Sequence, residues 1–145
     1  MFNKNFIITD TAGIRKKSKV KENIEFYSVM RSIQALENSD VAIIMIDAKQ
    51  GFEGQDMNIL SLAVKYKKGI IIMVNKWDLI KKDTFTMKTF EHLIRGEFKA
   101  LDNYPILFIS TLTKQRIHRV LEVAWDVYSR GRKVISTKNE YLQGV

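Results

Sequence analysis

The chain has 145 residues, of which 46% are hydrophobic and 28% are charged, a balance that predicts one globular domain with a sizeable core. It has no cysteine, which excludes disulfides and thiolate metal sites. It also has no apolar run that could span a bilayer or serve as a signal peptide. We therefore expect a cytoplasmic location and no membrane partner. The net charge of +8 suits a partner that carries phosphates, a nucleotide or RNA, but solubility alone explains it equally well.

The first apolar run, Phe6 to Thr9, predicts a short strand that ends at Asp10-Thr11-Ala12-Gly13. An aspartate at a strand end can orient water on Mg²⁺, and a glycine there lets a backbone N–H approach a phosphate closely. Aspartate and glycine are also ordinary turn residues, so this tetrapeptide alone fits a plain turn as well.

A polar segment, Ile14 to Asn23, follows and shows no apolar periodicity. Its cations are Arg15, Lys16, Lys17, Lys19 and Lys21. We predict a loop, which is either a switch ordered by a terminal phosphate or a solvated connection. Residues Ile24 to Glu37 then predict a helix with Phe26, Met30 and Ile33 on its inner face and Val29 and Leu36 beside them.

Two aliphatic runs, Val41 to Ile46 and Gly69 to Val74, predict strands that are buried on both faces, as in parallel sheets. Between them, Ala48 to Gly54 predicts a loop and about Gln55 to Lys67 predicts a helix.

The second of these strands ends at Asn75-Lys76-Trp77-Asp78, and ligands in open α/β sheets bind just beyond the carboxyl ends of strands. The Asp78 carboxylate can accept two parallel N–H bonds from guanine, whereas adenine presents no such donor pair. The stem of Lys76 can lie along a base while its ammonium stays solvated, and Asn75 can join neighbouring loops. The competing interpretation is a polar turn, in which these residue types are common.

The rest of the chain continues the alternation of helices and strands. Lys81 to Thr86 predicts a loop, Met87 to Leu101 keeps helical spacing, and Ile106 to Ile109 predicts a strand that ends at Ser110-Thr111-Leu112. Ile117 to Tyr128 predicts a last helix with Gly131 as its cap. The pattern as a whole predicts an α/β fold with a mostly parallel sheet between helices.

Three polar signatures at strand ends resemble the pattern of P-loop GTPases. The chain contains the segments Asp10-Thr-Ala-Gly-Ile-Arg-Lys-Lys17, Glu25-Phe-Tyr-Ser-Val-Met-Arg31, Asn75-Lys-Trp-Asp78 and Phe108-Ile-Ser-Thr-Leu-Thr-Lys-Gln-Arg-Ile-His118. These four segments are similar to the second G domain of the Der (EngA) family. These are bacterial tandem GTPases implicated in large ribosomal subunit assembly. The resemblance runs from Phe6 to Thr137 and implies a three-layer P-loop GTPase-type fold.

The resemblance also implies roles for single residues and the cofactors GTP or GDP with Mg²⁺. Asp10 would hold Mg²⁺ through water, and the Gly13 amide would meet the terminal phosphate. Asn75, Lys76 and Asp78 would recognise guanine. The backbone of Ser110, Thr111 and Leu112 would support the base; Thr111 stands where many relatives have alanine.

One element of the family pattern is missing, because the chain contains no Gly-x-x-x-x-Gly-Lys-[Ser/Thr]. The resemblance would place that loop, its strand, the first helix and switch I before Phe6. We therefore expect residues 1–130 to be a truncated G domain and residues 131–145 to begin a linker towards a KH-like domain. Expected partners are guanine nucleotide, the large ribosomal subunit or its RNA, and the missing first G domain and KH-like domain.

Two functions follow from this pattern. The first is a fragment of a GTP-hydrolysing protein of ribosome assembly, with catalysis belonging to the whole protein and not to this chain. The second is a non-catalytic module that binds RNA or another domain through the basic segment and Arg130, Arg132, Lys133 and Lys138.

Overall fold

A parallel sheet with helices on both faces forms the part of the chain that the computed structural model describes, residues 3–10, 22–83 and 86–132. Within these residues the strands are Val41–Asp47 (β1), Gly69–Asn75 (β2) and Ile106–Phe108 (β3), in the order β1-β2-β3. The helices are Glu22–Glu37 (α1), Gly54–Lys65 (α2), Thr86–Glu97 (α3) and Ile117–Gly131 (α4). Short 3₁₀ turns cover Trp77–Leu79 and Lys99–Asn103. The alternation confirms the α/β class that the sequence predicts.

The central strand, β2, separates two hydrophobic cores. Ile70, Ile72 and Val74 point to one face and pack in a cluster with side chains of α2 and α3. Met73 points to the other face and packs with Val120 of α4. The prediction that this strand is buried on both faces is confirmed, and the three layers follow from it.

The edge strand β1 is buried on one face only. Ala42, Ile44 and Ile46 lie in the core, but Ile43 is 44% exposed and Met45 is 47% exposed. The predicted burial of both faces is therefore wrong for this strand. The reason is that α4 packs mainly over β2 and leaves that face of β1 uncovered among the described residues.

The predicted strand at Phe6 to Thr9 is absent. These residues have no regular structure, and Ile7 is 96% exposed and Ile8 83% exposed. The Phe6 ring instead meets the Trp125 ring edge-on, with centroids 6.4 Å apart. An apolar run becomes a strand only when a neighbour pairs its backbone, and no described residue does so here.

Helix α1 starts two residues before its predicted position and buries less than predicted. Leu36 is buried, whereas Met30 and Val29, expected at or beside the inner face, are exposed. The predicted basic loop lies almost entirely outside the described residues. Helix α4 runs through Gly131 instead of stopping before it, and its C-cap is Arg132.

Candidate functional site

Two loops at the carboxyl end of the sheet enclose an open cleft of about 270 Å³. One loop follows β2 and the other follows β3, and the pairing of Val74 with Phe108 brings the two strand ends side by side. The lining residues are Asn75, Lys76, Asp78, Leu79, Ser110, Thr111 and Leu112. Six of these were predicted from the sequence as nucleotide-binding residues, and the structure brings them together.

Asn75 joins the two loops through both ends of its amide. Its Oδ1 accepts a hydrogen bond from the Thr111 backbone N–H at 3.1 Å, and its Nδ2 donates to Thr111 Oγ1 at 3.3 Å. The predicted loop-joining role of Asn75 therefore agrees with the geometry. Ser110 is fully buried, and its hydroxyl accepts from the Thr113 N–H at 3.1 Å, which fixes the turn after β3.

A buried tryptophan anchors the loop that carries Asp78. Trp77 is 1% exposed and packs on Phe108, with centroids 4.6 Å apart, and on Phe90 at 5.5 Å. The backbone N–H of Trp77 donates to the Ile109 carbonyl at 3.1 Å. With Trp77 held in the core, the polar residues on either side of it, Lys76 and Asp78, are left at the cleft.

Lys76 adopts a left-handed backbone conformation, with φ 62° and ψ 30°. Its Nζ lies 2.6 Å from Oδ2 of Asp47, the last residue of β1. Sequence reasoning expected the ammonium to be solvated; the ammonium instead pairs with a carboxylate that is only 4% exposed. The bonds from Lys76 and from the Lys49 backbone N–H hold the pKa of Asp47 below its ordinary value of 3.8, although burial opposes this.

Sequence reasoning missed two residues of this region. Leu79 lines the cleft and is 49% exposed. Its signal was its place directly after Asp78, as an apolar residue at a polar strand end. Asp47 could have been found because it ends the strand next to β2, where β1 pairs Asp47 with Asn75.

One predicted residue lies apart from this cleft. Asp10 is exposed at the end of the segment that forms no strand, and it is not among the lining residues. Gly13 lies outside the described residues. Within the described residues, no group of three or more His, Asp or Glu side chains could hold a metal ion. The Mg²⁺ role of Asp10 and the phosphate role of Gly13 stay predictions.

The cleft has the chemistry to bind a flat, polar heterocycle. It offers a carboxylate at Asp78, the stem of Lys76, and the exposed apolar side chains of Leu79 and Leu112. A carboxylate at the edge of such a cleft selects a ring with N–H donors, because a ring without them would leave the carboxylate unpaired.

In the described part of the chain, no helix is long and apolar enough to cross a membrane.

Comparisons with known proteins match this chain to GTP-binding proteins. Residues 23–130 match the model of the elongation factor Tu GTP binding domain. The GTPase Der of Amoebophilus asiaticus is 60% identical over 137 residues, which are 94% of this chain and 32% of that protein. The GTPase Der of Flavobacterium johnsoniae is 52% identical over 143 residues, 97% of this chain and 33% of that protein. The chain thus spans about a third of the length of these curated relatives.

Solved structures show the same fold. The probable GTP-binding protein engB matches with a TM-score of 0.66 at 17% identity, covering 83% of this chain and 77% of engB. A variant of Aquifex aeolicus Era, bound to GDP·AlF4⁻, matches with a TM-score of 0.65 at 23% identity, covering 76% of this chain and 36% of Era. These likenesses confirm the predicted P-loop GTPase-type fold, and the relatives confirm the resemblance to Der. The chain belongs to the family of the elongation factor Tu GTP-binding domain.

Proposed function

We propose that this chain is the guanine-recognising part of a GTP-hydrolysing protein, with Asp78 as the residue that selects the base. The observation that carries the proposal is the meeting of Asn75–Asp78 and Ser110–Leu112 around one cleft. In this assignment Asp78 accepts from the guanine ring N–H and exocyclic amine, and Lys76 and Leu112 flank the ring. GTP or GDP is the ligand, with Mg²⁺ held through water by Asp10.

The phosphate end of the nucleotide needs residues that this sequence does not supply. No Gly-x-x-x-x-Gly-Lys-[Ser/Thr] occurs in it. We propose that residues 1–130 are part of one G domain and that residues 131–145 begin a linker to a KH-like domain. Catalysis then belongs to a longer protein, which we propose works in the cytoplasm in the assembly of the large ribosomal subunit. The similarity to GTPase Der and the net charge of +8 support this role.

The base selectivity is tested by changing the Asp78 carboxylate to an amide. NMR titrations of the chain with GDP, ADP and XDP should place the GDP-dependent shifts at residues 75–79 and 110–112. Asp78→Asn should lose the preference for GDP over ADP and gain a preference for XDP, because xanthine carries an exocyclic oxygen that accepts from the new amide. The expected change is about tenfold or more, the size of leaving one buried polar group unpaired.

Asp102→Asn is the matched control, because Asp102 is an exposed carboxylate in the Lys99–Asn103 turn, outside the cleft. It should leave all three affinities unchanged. Equal binding of ADP and GDP by the unaltered chain, or GDP-dependent shifts outside the cleft, would contradict the proposed function.

A second candidate function is an RNA-binding module, and the end of α4 favours it. The guanidinium of Arg132 lies 5.0 Å from the centroid of the Tyr128 ring, and Lys4 Nζ lies 4.2 Å from the centroid of the Trp125 ring. Exposed cations of this kind can contact phosphates, which position a protein on RNA without reading its sequence. Arg130 is 73% exposed beside them and pairs with Asp126.

A further inference from the structure

The buried carboxylate of Asp47 lies beside the loop Asn75–Asp78, called the guanine loop below, on the side away from β3. It is the last residue of β1 and pairs in register with Asn75 of β2. Its Oδ2 accepts from Lys76 Nζ at 2.6 Å, and its Oδ1 accepts from the Lys49 N–H at 2.8 Å. The Lys49 bond comes from a tight turn that fixes the orientation of the carboxylate, so the ammonium is held by a pre-set acceptor.

The guanine loop is therefore held from both neighbouring strands, β1 and β3. On the β3 side, Asn75 bonds to Thr111. On the β1 side, the Asn75 carbonyl accepts from the Ala48 N–H at 2.9 Å, and the Lys76 side chain reaches Asp47. Lys76 itself has a positive φ, a conformation that non-glycine residues adopt only where surrounding contacts hold them.

The ion pair also decides where the Lys76 stem lies. A free lysine side chain samples many rotamers. If ligand binding restricts them, the loss of conformational entropy weakens the affinity. Lys76 lines the cleft and keeps 53% of its side chain exposed, while its ammonium is fixed at Asp47. The stem is thereby kept along one wall of the cleft before any ligand arrives.

We infer that Asp47 is a positioning residue for guanine binding, which acts through Lys76 by holding its stem as a wall of the cleft. The inference rests on the proposed function for the identity of the ligand. Asp47 is thereby added to the residues proposed to support guanine binding. It lies 29 positions from Lys76 in the sequence and is not among the residues that line the cleft.

The test is a double-mutant cycle on GDP affinity, measured by NMR titration of the chain. Asp47→Asn should weaken GDP binding about two- to tenfold, the effect of freeing one rotamer-rich side chain. Lys76→Met should weaken it at least as much. The double variant should be no weaker than Lys76→Met alone, because in this inference the effect of Asp47 on the ligand runs through Lys76.

Asp56→Asn is the matched control for the loss of a buried carboxylate. Asp56 is 8% exposed and accepts from the Glu53 N–H at the start of α2, so it holds a helix end instead of the guanine loop. It should lower stability and leave GDP affinity unchanged. Asp47→Glu should recover part of the affinity that Asp47→Asn loses, since it restores the charge.

Hydrogen exchange of the free protein provides a readout that needs no nucleotide. In Asp47→Asn, the Trp77 amide should exchange faster, whereas amides in α2 should not change. If Asp47→Asn does not fold by circular dichroism, Lys76→Met tests the ion pair from its other end, because it removes the ammonium and leaves Asp47 with its backbone donor; the Trp77 amide should then exchange faster in Lys76→Met as well. Absence of GDP binding by the unaltered chain would remove the proposed function alone. Additive effects in the cycle, or unchanged exchange at Trp77, would overturn the role of Asp47.

Discussion

The side-chain amide of Asn75 ties the loop after β2 to the loop after β3 with two hydrogen bonds. Thr111 takes part in both bonds: its backbone N–H donates to Asn75 Oδ1, and its hydroxyl oxygen accepts from Asn75 Nδ2. Only the backbone bond is independent of the side chain at position 111. The two residues of this pair should therefore differ sharply in their tolerance of substitution.

We expect Asn75→Ala to weaken GDP binding about tenfold and Thr111→Ala to change it less than twofold, since one removes two hydrogen bonds and the other a single exposed one. The Thr111 amide should exchange with solvent faster in Asn75→Ala only. Thr111→Ala serves as the matched control at the same contact. A loss in Thr111→Ala as large as that in Asn75→Ala would show that the hydroxyl, and not the backbone bond, joins the loops.

Sequence reasoning finds these residues because their motifs are contiguous. Asn75 to Asp78 follow a buried strand directly, and Ser110 to Leu112 follow another, so strand ends alone place them together. The place of Asp47 at a strand end could be read from the sequence, but its pairing with Lys76 could not. Its role depends on the β1–β2 register and on the direction of the Lys76 side chain, and neither is written in the local pattern.

At the scale of elements, the close approach of α4 to the start of β2 depends on a glycine. A Cβ at Gly69 would lie 2.6 Å from Val127 Cγ1 and 3.2 Å from Val41 Cγ2. Val127 is β-branched and sits in a helix, so it cannot turn away without leaving its preferred rotamer. The helix would have to move off the sheet.

Gly69→Ala should lower the free energy of unfolding by about 1–3 kcal/mol, the usual cost of overpacking a core. Gly96→Ala is the matched control, because a Cβ at Gly96 in α3 meets nothing within 4 Å. It should raise stability by up to about 1 kcal/mol through the lower entropy of the unfolded chain. Urea denaturation followed by circular dichroism measures both. Equal stability of the two variants would mean that α4 does not lie against β2 as described.

The elements that the sequence misjudged share one physical cause. Periodicity shows that a segment is apolar, but burial needs a second element to cover it. Phe6 to Thr9 and the outer face of β1 are apolar and uncovered among the described residues. β2 was predicted well because β1, β3, α2 and α4 all pack on it.

At the scale of the whole molecule, the charge of +8 predicts weak, salt-dependent association with RNA. Lysine and arginine contacts to phosphate release counterions, so the affinity should fall steeply between low and physiological salt. Reversing Lys16, Lys17 and Lys19 to glutamate should weaken binding and flatten the salt dependence. Reversing Lys65 and Lys67, two exposed cations that come shortly before β2, is the control of equal sign. RNA binding that is insensitive to salt, or that both reversals weaken equally, would contradict a specific role of Lys16, Lys17 and Lys19.

We expect the chain alone not to hydrolyse GTP. Phosphoryl transfer depends almost wholly on positioning and on stabilising charge around the phosphates. In the proposed function, the residues that line the cleft would hold only the base, which is the far end of the nucleotide. The sequence has no glycine-rich phosphate loop with its lysine and Mg²⁺-binding hydroxyl. Asp10 is exposed and no described residue pairs with the backbone of its segment, so we expect it not to fix Mg²⁺ by itself.

The measurement is phosphate release from GTP by the purified chain, compared with the spontaneous rate and checked for folding by circular dichroism. The positive control joins this chain behind the upstream segment of the Amoebophilus asiaticus relative, where turnover should appear and Asp10→Ala should abolish it. The same substitution in the chain alone should change nothing, since there is no turnover to lose. Release above the spontaneous rate by the chain alone, abolished by Asp10→Ala, would mean that this protein binds phosphates through residues other than a glycine-rich loop.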